Sequence, residues 1–491
     1  MLRSIAIWLS ILLPPAAMAG TVTLSSFDSS LQIEGELLYF DGEVFRLETK
    51  EGPVTIEAGG FHCIGTDCPA PEELIARVTL SGPADMVHRL MPALLSGFAA
   101  KKGWIFRNRF LSDQALEWEI SDGRETPIMV LEAKVSDEES GIKALADGEI
   151  DLALGRSFVK GGLRQVIVAL DALVPVVAPD NPQVMITVGQ IEQIFSGAID
   201  NWSYFGGGDL PIQLHLPTEK RLLNPLRTVI PAFSTPNSAI LHSDHDEMAD
   251  AISSEPSAIG LLPVSMIGNA VPLVLLGDCG LATPATASTI KSKDYPLMMP
   301  LFLYRDGVRQ HRLVRNFFEF AASREAQPIV RAAGFLDQSI GRLGFAAQGD
   351  RLANAVLAAG DNSEAVSEVQ RMIGRLVRAD RLTVAFRFQD GSSDLDFQSA
   401  GNVLRLSDAI SRGDIEGEII FAGFSDGVGT PEGNKQLSQQ RASSISRAVL
   451  ANTHDTKIEY STEAFGETMP LACDDTAWGR EINRRVEVWV R

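Results

Sequence analysis

The stretch that most constrains this chain runs from Glu418 to Val449. Glu418 to Phe424 reads as a strand. It enters a glycine-rich loop, and a helix begins near Asn434 with Leu437, Ile445 and Val449 on one side. Asp426 stands where the strand ends, and Arg441 stands about two turns into the helix. A strand that turns back into a packed helix can bring such a pair to one mouth. An acid and a guanidinium held together there form a receptor for a zwitterion. The carboxylate takes an ammonium group, and the Arg takes a carboxylate through two parallel hydrogen bonds. On these two residues alone, a salt bridge beside a surface loop stays open as the alternative.

The wider pattern is Gly423-Phe424-Ser425-Asp426, a Gly loop, then Asn434, Leu437-Ser438 and Arg441-Ala442, closed by Asn483-Arg484-Arg485-Val486-Glu487. This resembles the OmpA-like peptidoglycan-binding domain, whose pattern is G-[HF]-[ST]-D, a Gly loop, N-x-x-L-S-x-x-R-A and N-R-R-V-E. The resemblance covers residues 380–491. It implies that Asp426 and Arg441 hold the diaminopimelate of the peptidoglycan stem peptide, with Asn434 as a helper. Phe424 stands where the family commonly has His, and is expected to line the mouth.

The compartment follows from the N-terminus. Met1-Leu2-Arg3 is a positive start, Ile5 to Leu13 an apolar run, and Ala17-Met18-Ala19 a small-x-small cleavage site. These predict a secretory signal peptide over 1–19. The run is too short to span a bilayer, and no later stretch reads as a transmembrane helix. No Cys follows the cleavage site, so no lipoprotein anchor is expected. The expected location is the periplasm, on peptidoglycan near the outer membrane. The net charge of −20 argues against nucleic acid and against anionic lipid.

Four cysteines fit an oxidising compartment. Cys63 and Cys68 are close enough to close a small disulfide loop. Cys279 and Cys473 lie in different predicted domains, and both pairing and two free buried thiols stay open. No His flanks either pair at ligand spacing, so neither a metal site nor a cofactor is expected.

Taken in order, residues 20–75 alternate apolar and polar around Asp41-Gly42, which predicts a small β-module. From 76 to 340, strand-like runs alternate with helical ones, which predicts an α/β domain. Leu145 to Leu154, Asn181-Pro182, Ile191 to Gly197, Asn201-Trp202 and Ala258-Ile259-Gly260 are similar to phosphate-type periplasmic binding proteins. That resemblance implies a two-lobed type 2 binding-protein fold. Its ligand would be phosphate or another small anion, with Ser81, Gly82, Arg156 and Ser157 as candidate anion ligands. Two features depart from the family. Pro83 has no N–H to give. Pro217-Thr218-Glu219-Lys220-Arg221 replaces a Ser-Gly-Thr element and adds a negative charge. A domain kept for protein interaction is therefore the competing reading. His242 and His245 are spaced to share a helix face, although a solvated helix start explains them better than a metal. Residues 341–379 read as a helical connector, and 380–491 as a β-α-β-α-β domain with a mixed sheet and half-buried, alternating strands.

The fold class expected is thus α/β and α+β multidomain. The function expected is a periplasmic protein tethered to peptidoglycan and presenting a substrate-binding domain. A phosphate-binding subunit of an ABC transporter is the rival. No G-x-S-x-G, H-E-x-x-H or Cys–His arrangement stands in the chain, so no enzyme is expected.

Overall fold

The computed structural model describes residues 21–26, 30–40, 42, 44–58, 61–69, 75–123, 125–307, 310–389, 394–454 and 459–491. The expected signal peptide and Asp41 of the expected hairpin lie outside them. The chain divides into two compact units.

The first unit gathers the residues up to Thr79 with Ala99–Ala133 and Val308–Phe317. Its N-terminal part is a five-stranded antiparallel sheet. In spatial order the strands are Gly52–Glu57, Val44–Thr49, Gln32–Phe40, Thr21–Ser26 and Phe61–Ile64. Alternation puts Val22, Leu24, Phe45 and Leu47 on one face as a small core. Gly42 turns between two of these strands at φ +84°, where a Cβ is disfavoured. Cys63 and Cys68 are bonded to each other. So small a core has little stability to spare. Cys63→Ser is expected to lower this sheet's stability by about 2 kcal/mol, the scale for a very short loop. A denaturant midpoint unchanged from the parent would contradict this. A hairpin of Ile105–Ser112 with Ala115–Ser121 belongs to the same unit.

The second unit holds Leu80–Phe98, Lys134–Gly307 and Phe318–Arg491. Its first part is built on one long strand, Arg164–Val177. The N-terminal half of that strand pairs with Met298–Arg305, which pairs in turn with Leu152–Gly155. Leu152–Gly155 runs parallel to Ala76–Gly82 at Leu80 and Ser81. The C-terminal half pairs with Ala258–Pro263, and Gln213–Pro217 lies parallel beside that, followed by Ile240–His242. One strand therefore serves two groups of strands, which is the two-lobed binding-protein arrangement. Helices such as Glu138–Ala146 and His245–Ser254 return the chain between parallel strands.

The last part is a five-stranded mixed sheet. Its order is Arg342–Leu343, Asp380–Arg387, Arg485–Val490, Ile419–Phe424 and Tyr460–Ala464. One face packs on Phe397–Ser411 and Pro431–Ala451, through Phe386, Phe421, Leu406 and Ile445. The other face packs on Gly349–Ala359 and Ser363–Leu376, through Ile420, Phe424, Trp489 and Met372. Asn362 caps the second of these helices by accepting from Glu364 and Ala365 N–H.

Three sequence expectations change here. Asp380–Arg387 and Arg485–Val490 are buried along nearly their whole length instead of alternating, because both sheet faces are covered and the polar positions enter a buried charge network. The helix starts at Pro431, three residues before Asn434, because Thr430 caps it and Pro at the first turn fits its geometry. A further strand, Tyr460–Ala464, and helix, Ala477–Asn483, precede the last strand.

Candidate functional site

Three strands of the two-lobed part, two of them parallel neighbours, end at one place, the usual position for a ligand in such sheets. Ala76–Gly82 ends in Ser81 and Gly82. Leu152–Gly155 leads into Arg156 and Ser157. Gln213–Pro217 leads into Glu219. The structure does bring Ser81–Gly82 and Arg156–Ser157 into one neighbourhood. Most of the donors of Arg156 and Ser157, however, are already used. The backbone N–H groups of Arg156 and Ser157 each donate to the carboxylate of Glu138, at 3.0 Å. Gly155 makes that approach possible, since a Cβ there would stand 2.5 Å from Glu138 Cγ. The Arg156 guanidinium is buried and donates to Asp85 at 2.6 Å and to Glu219 at 2.9 Å. Ser81 Oγ lies 2.6 Å from Ser136 Oγ.

Burial opposes the charges of Arg156 and Asp85. Their attraction outweighs it, so the Arg156 pKa is raised and the Asp85 pKa lowered. At Glu219 burial prevails over Arg156 and raises the pKa. Beside this cluster lies a cavity of about 290 Å³, lined among others by Arg156, Ser157, Arg221, Asn224, Lys293 and Trp478. His242 is not on the helix with His245. It closes the Ile240–His242 strand and stacks on His215, with its ring nitrogen 2.9 Å from the other.

The second site is the mouth at the end of Ile419–Phe424. Gly423 lets the strand lie against the Pro431–Ala451 helix, because a Cβ there would meet Ser438 O at 2.1 Å. Asp426 and Arg441 are brought to the same mouth, but they do not pair with each other. Asp426 accepts from Arg484 Nη1 at 2.9 Å. The Arg441 guanidinium lies over the Phe388 ring, 5.2 Å from its centre. Among the described residues it makes no hydrogen bond and no ion pair. Burial and then the nearby Arg484 charge lower its pKa, while Asp426 acts the other way. Arg441 thus keeps a guanidinium at the mouth that no described carboxylate holds. Asn434 is buried and donates to Glu467 at 2.8 Å, so its amide is engaged inside the protein. Phe424 is also buried, under the Arg485 guanidinium at 4.1 Å, and does not line the mouth. Arg484 was not singled out as a ligand from sequence, although it stands in the Asn483-to-Glu487 signature.

Residues 109–325 match the model of the PBP superfamily domain, and residues 387–484 match that of the OmpA family. The chain joins a PBP domain to an OmpA domain. It is 24% identical over 192 residues to the phosphate-binding protein PstS of Borreliella burgdorferi, covering 37% of this chain and 69% of that protein. It is 40% identical over 70 residues to outer membrane protein A of Bordetella avium, covering 14% of this chain and 36% of that one. Outer membrane porin F of Pseudomonas aeruginosa is 32% identical over 117 residues, covering 22% and 31%. The chain thus spans about a third of these two outer-membrane proteins. An ABC-type phosphate transport receptor from Vibrio cholerae is similar in structure, with a TM-score of 0.41 and 17% identity, covering 53% of this chain and 99% of the receptor. Both families are binding and structural families.

The PBP and OmpA domains are joined by more than the connector. Cys279 and Cys473 form a disulfide across them. Cys473 precedes Asp474, whose carboxylate accepts from Gly427 N–H and from the Asn483 amide, each at 2.8 Å. The bond therefore stands next to the loop that carries Asp426. Asp294 of the PBP domain is buried and accepts from Arg381 at 2.8 Å and from Arg387 at 2.9 Å, both on an OmpA-domain strand. Arg381 also lies 3.2 Å from Glu487, which Arg351 and Arg485 also hold. Lys293 pairs with Asp396 and Glu481.

Proposed function

We propose that this is an exported periplasmic protein that holds non-covalently to peptidoglycan through its OmpA domain and presents its PBP domain at the wall. An OmpA domain supports peptidoglycan association, and a PBP domain supports phosphate-type substrate binding. The observation that carries the reading is the mouth formed by Asp426, Arg441 and Arg484. Its spare guanidinium suits the carboxylate of a diaminopimelate, and Asp426 suits the ammonium group. No helix among the described residues is long and apolar enough to cross a membrane. The signal peptide over 1–19, the periplasmic location and the domain limits 20–75, 76–340, 341–379 and 380–491 belong to the same proposal.

The test is co-sedimentation of the protein lacking residues 1–19 with purified sacculi. Recovery of most of it in the pellet, and its release by free stem peptide, is the expected result. Full recovery in the supernatant would remove the wall from the reading. A second reading, the phosphate-binding subunit of an ABC transporter, is supported by the likeness to PstS. Against it stand the three carboxylates on the donors that an anion would need. The transporter reading also needs the domain to reach a permease, which a wall tether hinders.

A further inference from the structure

The carboxylates around Arg156 are not equivalent. Asp85 and Glu138 are buried, and both belong to the side of the cleft that carries Arg156. Glu219 comes from the other side, in the turn after Gln213–Pro217, and is only partly buried. It begins the short helical turn Lys220–Leu223, yet its carboxylate caps no N–H there. Its one described hydrogen bond crosses the cleft to Arg156 Nη1 at 2.9 Å. A second ion pair crosses nearby, Arg221 to Glu139 at 2.9 Å. Two-lobed binding proteins close when a ligand touches both lobes. Here a side chain of the protein makes that bridging contact, and it makes it to the guanidinium that an anion would use.

One further observation marks the place as a ligand position. Arg156 Nε and Asp85 Oδ1 are buried without a partner, so the cluster is left incompletely satisfied. Charge weighs against an incoming anion, since Asp85 and Glu219 already hold the guanidinium and Glu138 holds the backbone N–H groups of Arg156 and Ser157. Another anion entering that field meets like charges at close range.

We propose that the Glu219 carboxylate is an internal ligand of the PBP domain. It occupies the position of a phosphate-type anion on Arg156, closes the two lobes on each other without one, and so sets the specificity of the site. An anion and Glu219 compete for the same guanidinium, and an anion binds only as Glu219 leaves. This inference rests on the phosphate-type half of the functional reading and is independent of wall binding.

The experiment is calorimetry of the full chain with inorganic phosphate, on the parent, Glu219→Gln and Glu219→Ser. Glu219→Gln keeps the side-chain shape and removes the charge. Glu219→Ser restores a hydroxyl of the kind found in the family's Ser-Gly-Thr element. The expected result is millimolar or weaker binding by the parent and at least tenfold tighter binding by either folded variant. Micromolar binding by the parent overturns the proposal without recourse to a variant. Equal binding by parent and variants overturns it and leaves the phosphate-type reading standing. No binding by any of the three overturns it together with that reading.

Discussion

Asp426→Ala is expected to free the protein from sacculi, and Arg441→Ala to do the same. In either variant, a bound diaminopimelate keeps one charge without its partner. That costs roughly 2–5 kcal/mol in a desolvated site, which is tens to thousands of times in affinity. The fold should survive both changes. The Asp426–Arg484 pair is partly exposed, and such pairs contribute about 1 kcal/mol or less. Arg441 gives up one stacking contact on Phe388, again about 1 kcal/mol. The two effects therefore separate in one pair of measurements, pelleting with sacculi and thermal unfolding. Parent-level pelleting by both variants would sink the assignment of this mouth. Arg484→Ala belongs in the same set, because Arg484 rather than Arg441 pairs with Asp426.

Asp294→Ala is expected to destabilise the junction of the two domains by roughly 3–5 kcal/mol, the range for removing one member of a buried ion pair. Arg381 and Arg387 would lose their shared partner inside the protein, and Glu487 would be left among four guanidinium groups. For a domain of this size about 1 kcal/mol moves the melting temperature by roughly 2–4 °C, so a loss of several degrees is expected. A melting curve superimposed on that of the parent would refute the role of Asp294. The pH dependence has a definite sign. Burial alone would raise the Asp294 and Glu487 pKa values, but the surrounding arginines outweigh it and hold both below the usual carboxylate range. Groups with lowered folded-state pKa values contribute fully above their unfolded value, about pH 4, and that contribution is lost as the pH falls further.

Much of this architecture could be read before any coordinates. The strand–loop–helix from Glu418 onward is legible because glycine spacing, a terminal acid and helical periodicity coincide within thirty-odd residues. The connector helices are legible for a similar reason, with Gly360 and Asn362 separating two periodic runs. What stays hidden is pairing between distant side chains. Nothing local to Asp294 announces Arg381 and Arg387, and nothing local to Glu138 says that it will cap Arg156 and Ser157. Asn434 shows a contact that its motif does not announce. Its place in a motif suggested a ligand contact, whereas Glu467 holds its amide inside the domain. Charged residues in Asp380–Arg387 read as solvent-facing by alternation, because a sequence does not reveal that a second layer covers that face. Cys279 and Cys473, 194 residues apart, carry no local sign of their bond.

That bond has a mechanical consequence. A protein gripping the wall by one domain and engaged elsewhere by another is placed under tension whenever the two surroundings move apart. Pull applied at the mouth enters the loop at Gly427, passes to Asp474 and reaches Cys473 within one residue. From there it crosses to the PBP domain through a covalent link at Cys279. In the wall-bound arrangement proposed above, that covalent link keeps the PBP domain joined to its anchor under such a pull.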